Sequence, residues 1–321
     1  MKIISFDEIN KMRIQPLQCY EWVEEMLMHK DQSLLPAKTH LNLPDNVFCN
    51  VMPSIINYHN TRIGGVKVVT RYPLRTPSLD SKILLLNADT GAFLALLDGN
   101  WITAMRTGAV AAHSIATFAK EGYSNLGMIG LGNTARATLI ILNAITNNKE
   151  LHIKLLKYKD QANLFIQRFK ACENISFEIV DSPNLVAQDS DVIISCATYF
   201  DKDICSDNVF DKGVLVVPVH TRGFTNCDLF FDKVFADDTG HVDHFKNFSK
   251  FKYYAEVSDV ITGKAKGREN NEERIIAYNI GVSIHDINFA AHICQLIDND
   301  ESLLNSLIDV EMHDPQDKFW V

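Results

Sequence analysis

The sequence predicts an α/β protein, and three observations carry that expectation. Between residues 38 and 98, apolar runs of strand length follow one another, separated by turn residues. From 120 to 282, short apolar runs alternate with helix-like segments, the pattern of βαβ units around a parallel sheet. From 283 to about 312 the chain, beginning SIHDINFAAHICQLID, returns to helical periodicity.

The elements follow in order. SFDEINKM opens with Ser5 and Glu8 at capping-box spacing and predicts a short helix, and YEWVEEMLMHK is a second, amphipathic one. LNLPDNVFCNVMPSII, GGVKVVTRY, KILLLN and AFLALLD read as strands. ADTG between the last two is a hairpin turn, with Gly91 free to take positive φ. Residues 101–120 read as a helix of unusual composition: from Trp101 to Phe118 its single formal charge is Arg106, set among Ala104, Gly108, Ala109, Val110, Ala111 and Ala112. LGMIGLG, LHIKLLKY, ISFEIV, DVIISCAT, GVLVVPV and KVFADD are strand-like, and TARATLIILNAI and QANLFIQRFKAC helical.

Composition narrows the function. With 321 residues, 46% of them hydrophobic and 22% charged, the chain is an ordinary globular sequence, long enough for one large domain or two. A net charge of −9 and the lack of a basic stripe argue against nucleic acid as a partner. No apolar run reaches the ~18 residues of a membrane span. MKIISFDEINKMRI carries charges within its first ten residues and has no apolar signal core. No membrane partner and a cytoplasmic setting are therefore expected. The 7 cysteines are odd in number and form no C-x-x-C pair, which fits small core thiols in a reducing compartment and no metal.

The strongest motif is LGMIGLGNTARATL. Gly130-x-Gly132-x-x-Ala135 follows an apolar strand and opens a helix, the context of a dinucleotide-binding turn. Gly130 makes the turn, Gly132 admits a pyrophosphate to the backbone, and Ala135 allows close packing of helix on strand. The amides of Asn133, Thr134 and Ala135 at the helix start suit its negative charge. An NAD binder carries an acidic residue at the end of the next strand to grip the ribose 2′-hydroxyl. Here stand Lys157, Tyr158 and Lys159, which suit a 2′-phosphate, so NADP(H) is favoured over NAD(H).

LDGNWITAMRTGAVAAHSIATFAK followed by that turn resembles the ornithine cyclodeaminase/mu-crystallin family. The order MPSIINYHNTRIGGVKVV, hairpin, Arg-Thr helix, glycine-rich turn, DVIISCAT, DKGVLVVPV and YNIGVSIHDINFAA is similar to the family's over nearly the whole chain. The resemblance implies a Rossmann domain, 118–282, inserted into a β-rich substrate and dimerisation domain, 1–117 plus 283–321. It also implies a homodimer and a small amino or imino acid as substrate. It implies that Arg106 binds the substrate carboxylate beside the cofactor, that Lys67 contacts the substrate and can supply a proton, and that Lys38 stands where arginine is common. Met52 is a further substrate contact. Thr107, Cys196, Ala197, Thr198 and Gly281 are cofactor contacts, with His285 near the nicotinamide end.

One departure matters. In VVPVHTRGFTNCD, Arg222 stands where the cyclodeaminases carry a proton-accepting aspartate, with His220 two residues before and Asp228 six after. This disfavours the ornithine-to-proline cycle and favours imine reduction or amino-acid dehydrogenation, with water, Lys67 or His220 handling the proton. HTRG reads either as a loop paired with acids of FADDTGHVDHF or as an anion site. Asp237, Asp238, His241, Asp243 and His244 read as a solvated loop. The family also includes binding proteins, so a cofactor-loaded, non-catalytic role is the alternative that a turnover assay separates.

Overall fold

A computed structural model describes residues 1–197, 200 and 202–310, and the chain divides into two compact units. The first comprises Met1–Arg13, Gln32–Thr103 and the chain from Ser283 onward; the second comprises Ile14–Asp31 and Ala104–Val282.

The first unit is built on a seven-stranded sheet. Its strands are β1 (Lys2–Ile4), β2 (Thr39–Leu43), β3 (Val47–Tyr58), β4 (Thr61–Arg71), β5 (Leu79–Asn87), β6 (Phe93–Asp98) and β15 (Ile308–Asp309), in the order β15-β1-β6-β5-β4-β3-β2. From β2 to β6 the strands form an antiparallel meander, while β1 runs parallel to β6 and antiparallel to β15. The run LNLPDNVFCNVMPSII, expected as one strand, is two, because Asp45 and Asn46 both take positive φ and fold β3 back on β2. The ADTG hairpin forms as expected, with Gly91 at φ +80. Helix α1 (Phe6–Lys11) has its capping box: the Ser5 amide donates to Glu8 Oε2 at 2.6 Å, and the Glu8 amide to Ser5 Oγ at 3.4 Å. The helical tail is shorter than expected. It comprises α8 (Ser283–Asp298) and α9 (Glu301–Ser306), after which the chain becomes the strand β15 beside β1. Helix α8 packs across β3, β4 and β5, and eleven of its residues are buried.

The second unit is an eight-stranded sheet. It contains β7 (Asn125–Ile129), β8 (Leu151–Leu156), β9 (Ile175–Val180), β10 (Val192–Ser195), β11 (Leu215–Pro218), β12 (Lys233–Ala236), β13 (Tyr254–Glu256) and β14 (Ile275–Tyr278). All pairings are parallel, in the order β13-β12-β14-β11-β10-β7-β8-β9. β7, β10, β11, β12 and β14 are almost wholly buried apolar runs, as a sheet covered on both faces requires. The direction of winding reverses between β7 and β10, the switch point where open sheets of this type bind ligands. The helices are α2 (Pro16–Met28), α3 (Asn100–Phe118, from Ala104 on), α4 (Asn133–Ile145), α5 (Gln161–Arg168), α6 (Pro183–Ala187) and α7 (Val257–Ile261).

The boundaries differ from the expected 1–117 plus 283–321 and 118–282. Residues 14–31 and 104–117 group with the parallel sheet, because α2 packs on α4 and α7, and α3 lies against α4. The small residues of α3 have a local cause. A Cβ on Gly108 would stand 2.5 Å from Ala137 Cβ and 2.6 Å from the Thr138 amide, so the two helices cross where one has no side chain. Gly108→Ala is expected to lower stability by about 1–3 kcal/mol through overpacking against rigid backbone, read as a reduced thermal unfolding midpoint.

Candidate active site

The glycine-rich turn sits at the switch point, after β7. Gly130 has φ +79, and a Cβ there would lie 2.5 Å from the Ala197 amide nitrogen and 2.7 Å from the Cys196 carbonyl carbon. Glycine is therefore dictated by the protein itself, since the ends of β7 and β10 touch. Gly132 is different. As N-cap of α4 it makes no side-chain cap, and a Cβ on it would meet nothing within 4 Å. The space in front of that helix start is kept open. The amides of Asn133, Thr134 and buried Ala135 follow directly, which fits a bound pyrophosphate. The cradle thus matches a dinucleotide. Cys196 is not a nucleophile: burial pushes its thiol up to about 12, against a hydrogen bond from Thr138. Thr198 lies outside the described residues. At the end of β8, Lys157 is exposed and 3.3 Å from Asp181, Tyr158 is exposed, and Lys159 takes φ +51 with its ammonium 5.4 Å from the Tyr158 ring centre.

Arg106 and Gly281, expected in separate roles, are in contact. Arg106 is 4% exposed. Gly281 has φ +77, and a Cβ on it would stand 2.8 Å from Arg106 Nη1 and 3.2 Å from Nη2, so the guanidinium lies directly on the backbone. Gly281 follows the carboxyl end of β14, which puts the cation at the same sheet edge as the Gly130 turn. Thr107, the next residue on α3, is half-buried. Ser114 and Asn279 hydrogen-bond at 3.2 Å and fix α3 to the same strand end.

Behind Gly281 is a charge network absent from the sequence reading. The Gly281 amide donates to Asp237 Oδ2 at 2.9 Å. Asp237 is fully buried, and burial raises its pKa, countered by that amide and by the charges of Arg106, Lys30 and His241. Lys30, at the end of α2, donates to the Asp237 carbonyl at 2.8 Å and pairs with Asp238 at 2.8 Å and Glu256 at 2.5 Å. Burial works to raise Asp238 as well, but hydrogen bonds from His241 and Lys30 hold it down at about 2. The expected solvated loop is thus corrected for Asp237, Asp238 and His241, which are turned into the fold where Lys30 reaches Asp237 and Asp238 and Asp238 holds His241. Asp243 and His244 stay exposed. No group of metal-binding spacing occurs among the described residues.

The same pairing corrects the alternative reading of HTRG, since those acids are engaged elsewhere. His220 is bonded to Ser195 Oγ at 2.6 Å, and its ring centre lies 5.6 Å from Phe200 and 6.2 Å from Phe224. Burial lowers its pKa to about 4, so near pH 7 it is neutral and a weak base, with its Nε2 already engaged by Ser195. Arg222 is exposed and makes no ion pair among the described residues. Asp228 is buried, accepts from the Tyr278 hydroxyl at 2.7 Å, and is raised to about 6 by burial.

In the β-rich unit, Lys67 of β4 is 1% exposed and 2.6 Å from Asp286 of α8, itself 0% exposed. Met52, opposite Lys67 on β3, is buried. Lys38, just before β2, is half-buried, and His285 is buried in the first turn of α8. Asp286 was not singled out from the sequence; the signal available was one acid among the apolar residues of SIHDINFAA.

The sequence model of the ornithine cyclodeaminase/mu-crystallin family matches residues 7–301. Delta(1)-pyrroline-2-carboxylate reductase of Bacillus cereus is 26% identical over 76% of this chain and 79% of that one. Nodulation efficiency protein NfeD of Rhizobium meliloti is 24% identical over 78% of this chain and 81% of its own length. Among solved structures, Thermococcus litoralis Delta(1)-pyrroline-2-carboxylate reductase in complex with NADH and L-proline superposes with a TM-score of 0.84. It has 24% identity and covers 97% of this chain and 100% of that one, a likeness of fold.

The Lys30 network gives a prediction. Asp238 is depressed from 3.8 to about 2 in the folded state, so its contribution to stability is complete above its unfolded value and is lost as pH falls toward 2. Lys30→Met strands two carboxylates. It should cost about 3–5 kcal/mol at neutral pH and much less in acid, read from denaturant midpoints across pH.

Proposed function

The chain belongs to the ornithine cyclodeaminase/mu-crystallin family, and from that premise we propose that it is a nicotinamide-dependent oxidoreductase acting at the α-carbon of an α-imino or α-amino acid. The observation that carries this is Arg106, a guanidinium buried on Gly281 at the edge where the Gly130 turn opens. A planar guanidinium in a water-poor setting takes a carboxylate bidentately, and that grip aims the adjoining α-carbon. Gly130, Gly132, Asn133, Thr134 and Ala135, with Thr107, Cys196, Ala197 and Thr198 as further contacts, would hold a nicotinamide cofactor, which when bound would supply hydride chemistry at the carbon of a C=N bond. Lys67, with Lys38, is a cationic contact for the substrate, and Met52 an apolar one. The nitrogen takes its proton from Lys67 or water; His220, kept a weak base by burial, is a poor acceptor for the reverse direction. The relatives named pyrroline-2-carboxylate reductase support an imino acid as substrate. Position 222 offers no carboxylate, which favours simple reduction or dehydrogenation over cyclodeamination.

Three finer readings belong to the proposal. Lys157 and Lys159 favour NADP(H), although the Thermococcus litoralis relative was solved with NADH. A homodimer is supported by edge strand β2, which exposes Leu41 and Leu43. A cytoplasmic setting is supported by its seven free cysteines.

The test follows NADPH and NADH oxidation by absorbance with cyclic ketimine acids of two ring sizes and with pyruvate plus ammonia. Ornithine with oxidised cofactor is assayed in parallel for proline. NADPH consumption with an imino acid and no proline from ornithine is expected; proline from ornithine would sink the reading of position 222. Cofactor binding without consumption would make the chain a binding protein. Arg106→Lys should lower kcat/KM for the imino acid about 10- to 100-fold, the loss of one charged hydrogen bond, with cofactor Kd unchanged. Lys157→Ala with Lys159→Ala should raise KM for NADPH and leave that for NADH in place.

A further inference from the structure

The proposed chemistry uses Lys67 and leaves the carboxylate beside it without a role. Lys67 and Asp286 form an ion pair of 2.6 Å between two side chains that are 1% and 0% exposed. Removing two charged groups from water costs several kcal/mol each, and apolar residues of similar size serve stability as well or better. A pair at this depth is therefore weakly explained by stability alone.

Two local features bring Asp286 onto Lys67. A Cβ on Gly65, two residues before Lys67 and on the same face of β4, would stand 2.6 Å from Ile287 Cδ1 and 2.6 Å from the Leu84 carbonyl oxygen. Glycine there lets the first turn of α8 settle against the strand. Ser283 Oγ donates to the Pro53 carbonyl at 2.8 Å, tying the helix start to β3 beside Met52. Asp286 lies between those two anchors in the chain. Gly65 and the MP segment thus act together, setting the height at which the carboxylate meets the ammonium.

We propose that Asp286 is the positioning residue of Lys67: it fixes the direction of the ammonium and keeps it cationic for contact with the substrate. This rests on the reading of Lys67 as a substrate contact given above. The surroundings leave few other groups for that task. In register with Lys67 are Met52 on β3 and Ile83 on β5, neither titratable. On α8, the neighbouring titratable group is buried His285. Farther along α8, His292 and Tyr58 of β3 hydrogen-bond at 3.2 Å, and Asp298 pairs with Lys2. Asp286 is an acid in direct contact with the Lys67 ammonium, at 2.6 Å. Removing its charge takes a counter-charge away from a buried ammonium, which shifts it toward the neutral amine.

The experiment uses the full chain with NADPH, Δ1-pyrroline-2-carboxylate as the turnover probe and L-proline as the binding probe. Asp286→Asn and Asp286→Glu are compared with the parent. In Asp286→Asn, kcat/KM should fall at least tenfold and L-proline Kd should rise at least tenfold. The basic limb of both pH profiles should move to lower pH, and NADPH Kd should stay within twofold. Asp286→Glu, which keeps the charge on a longer arm, should hold the parent limb and recover part of the rate. An Asp286→Asn protein within twofold of the parent, with an unmoved limb, overturns the proposal. So does failure of both variants to fold, which would make the pair a folding element. Lys67→Met separates the two readings. If it is inactive while Asp286→Asn is parent-like, only the positioning role fails. If Lys67→Met itself is parent-like, or if the parent neither turns over nor binds either probe, the reading of Lys67 fails and the proposal with it.

Discussion

A guanidinium resting on a residue without a side chain organises the parallel-sheet unit. Arg106 can be buried only because Gly281 presents bare backbone, at 2.8 Å from where a Cβ would otherwise meet Nη1. Gly281 can present that backbone only in a left-handed conformation, which its amide hydrogen bond to Asp237 fixes. Asp237 in turn is a buried carboxyl, tolerated because Arg106, Lys30 and His241 lie near it. Lys30 comes from the turn just after α2, so a helix remote in sequence is tied to the parallel sheet by the charge that helps hold the arginine's seat. Change the seat, and the cation, the acid and the helix that supports them all lose their reason for being where they are.

The β-rich unit buries its own cation by a different device. Arg106 brings its guanidinium nitrogens up to bare backbone; Lys67 points its ammonium at one carboxylate across the gap between strand and helix. The difference follows from the side chains. A guanidinium is planar and weakly hydrated and can stack on a peptide, whereas an ammonium is a compact charge that needs close acceptors when water is removed. In each case a glycine permits the approach: Gly281 for the guanidinium, Gly65 for the helix that carries Asp286.

What the sequence displayed was whatever local sterics dictate. The Gly130–Ala135 turn, the Gly91 hairpin and the Ser5–Glu8 box each depend on residues within six positions of one another, and each formed as expected. The parallel order of strands was legible because buried strands are continuous apolar runs. The partners of the buried charges were not. Asp286, Asp237 and Lys30 are surface types by composition, and only long-range packing shows that they are buried and paired. That is why ADDTGHVDH read as solvated when half of it is inside. The strands β1 and β15 escaped because three and two residues are too few to show a period. The turn at Pro44–Asn46 was written in its residues, but the apolar positions on either side masked it.

The proton remains the point on which the chemistry turns. His220 is locked to Ser195 and kept neutral by burial, so near pH 7 it has no ring proton to spare as an acid and is a weak base. An imine nitrogen conjugate to a carboxylate-bearing carbon can be protonated by water before hydride arrives, and then no strong acid is needed in the protein. A buried cation that grips the carboxylate suffices to orient such a substrate. Cyclodeamination asks for more: a proton acceptor for the first oxidation and room for a distal ammonium. The loop after β11 carries an exposed Arg222 instead, and a second cation nearby would be repelled. The inventory of this chain, with fixed cations, a neutral imidazole and no free carboxylate in that loop among the described residues, therefore matches addition of hydride to an imine more closely than the longer cycle.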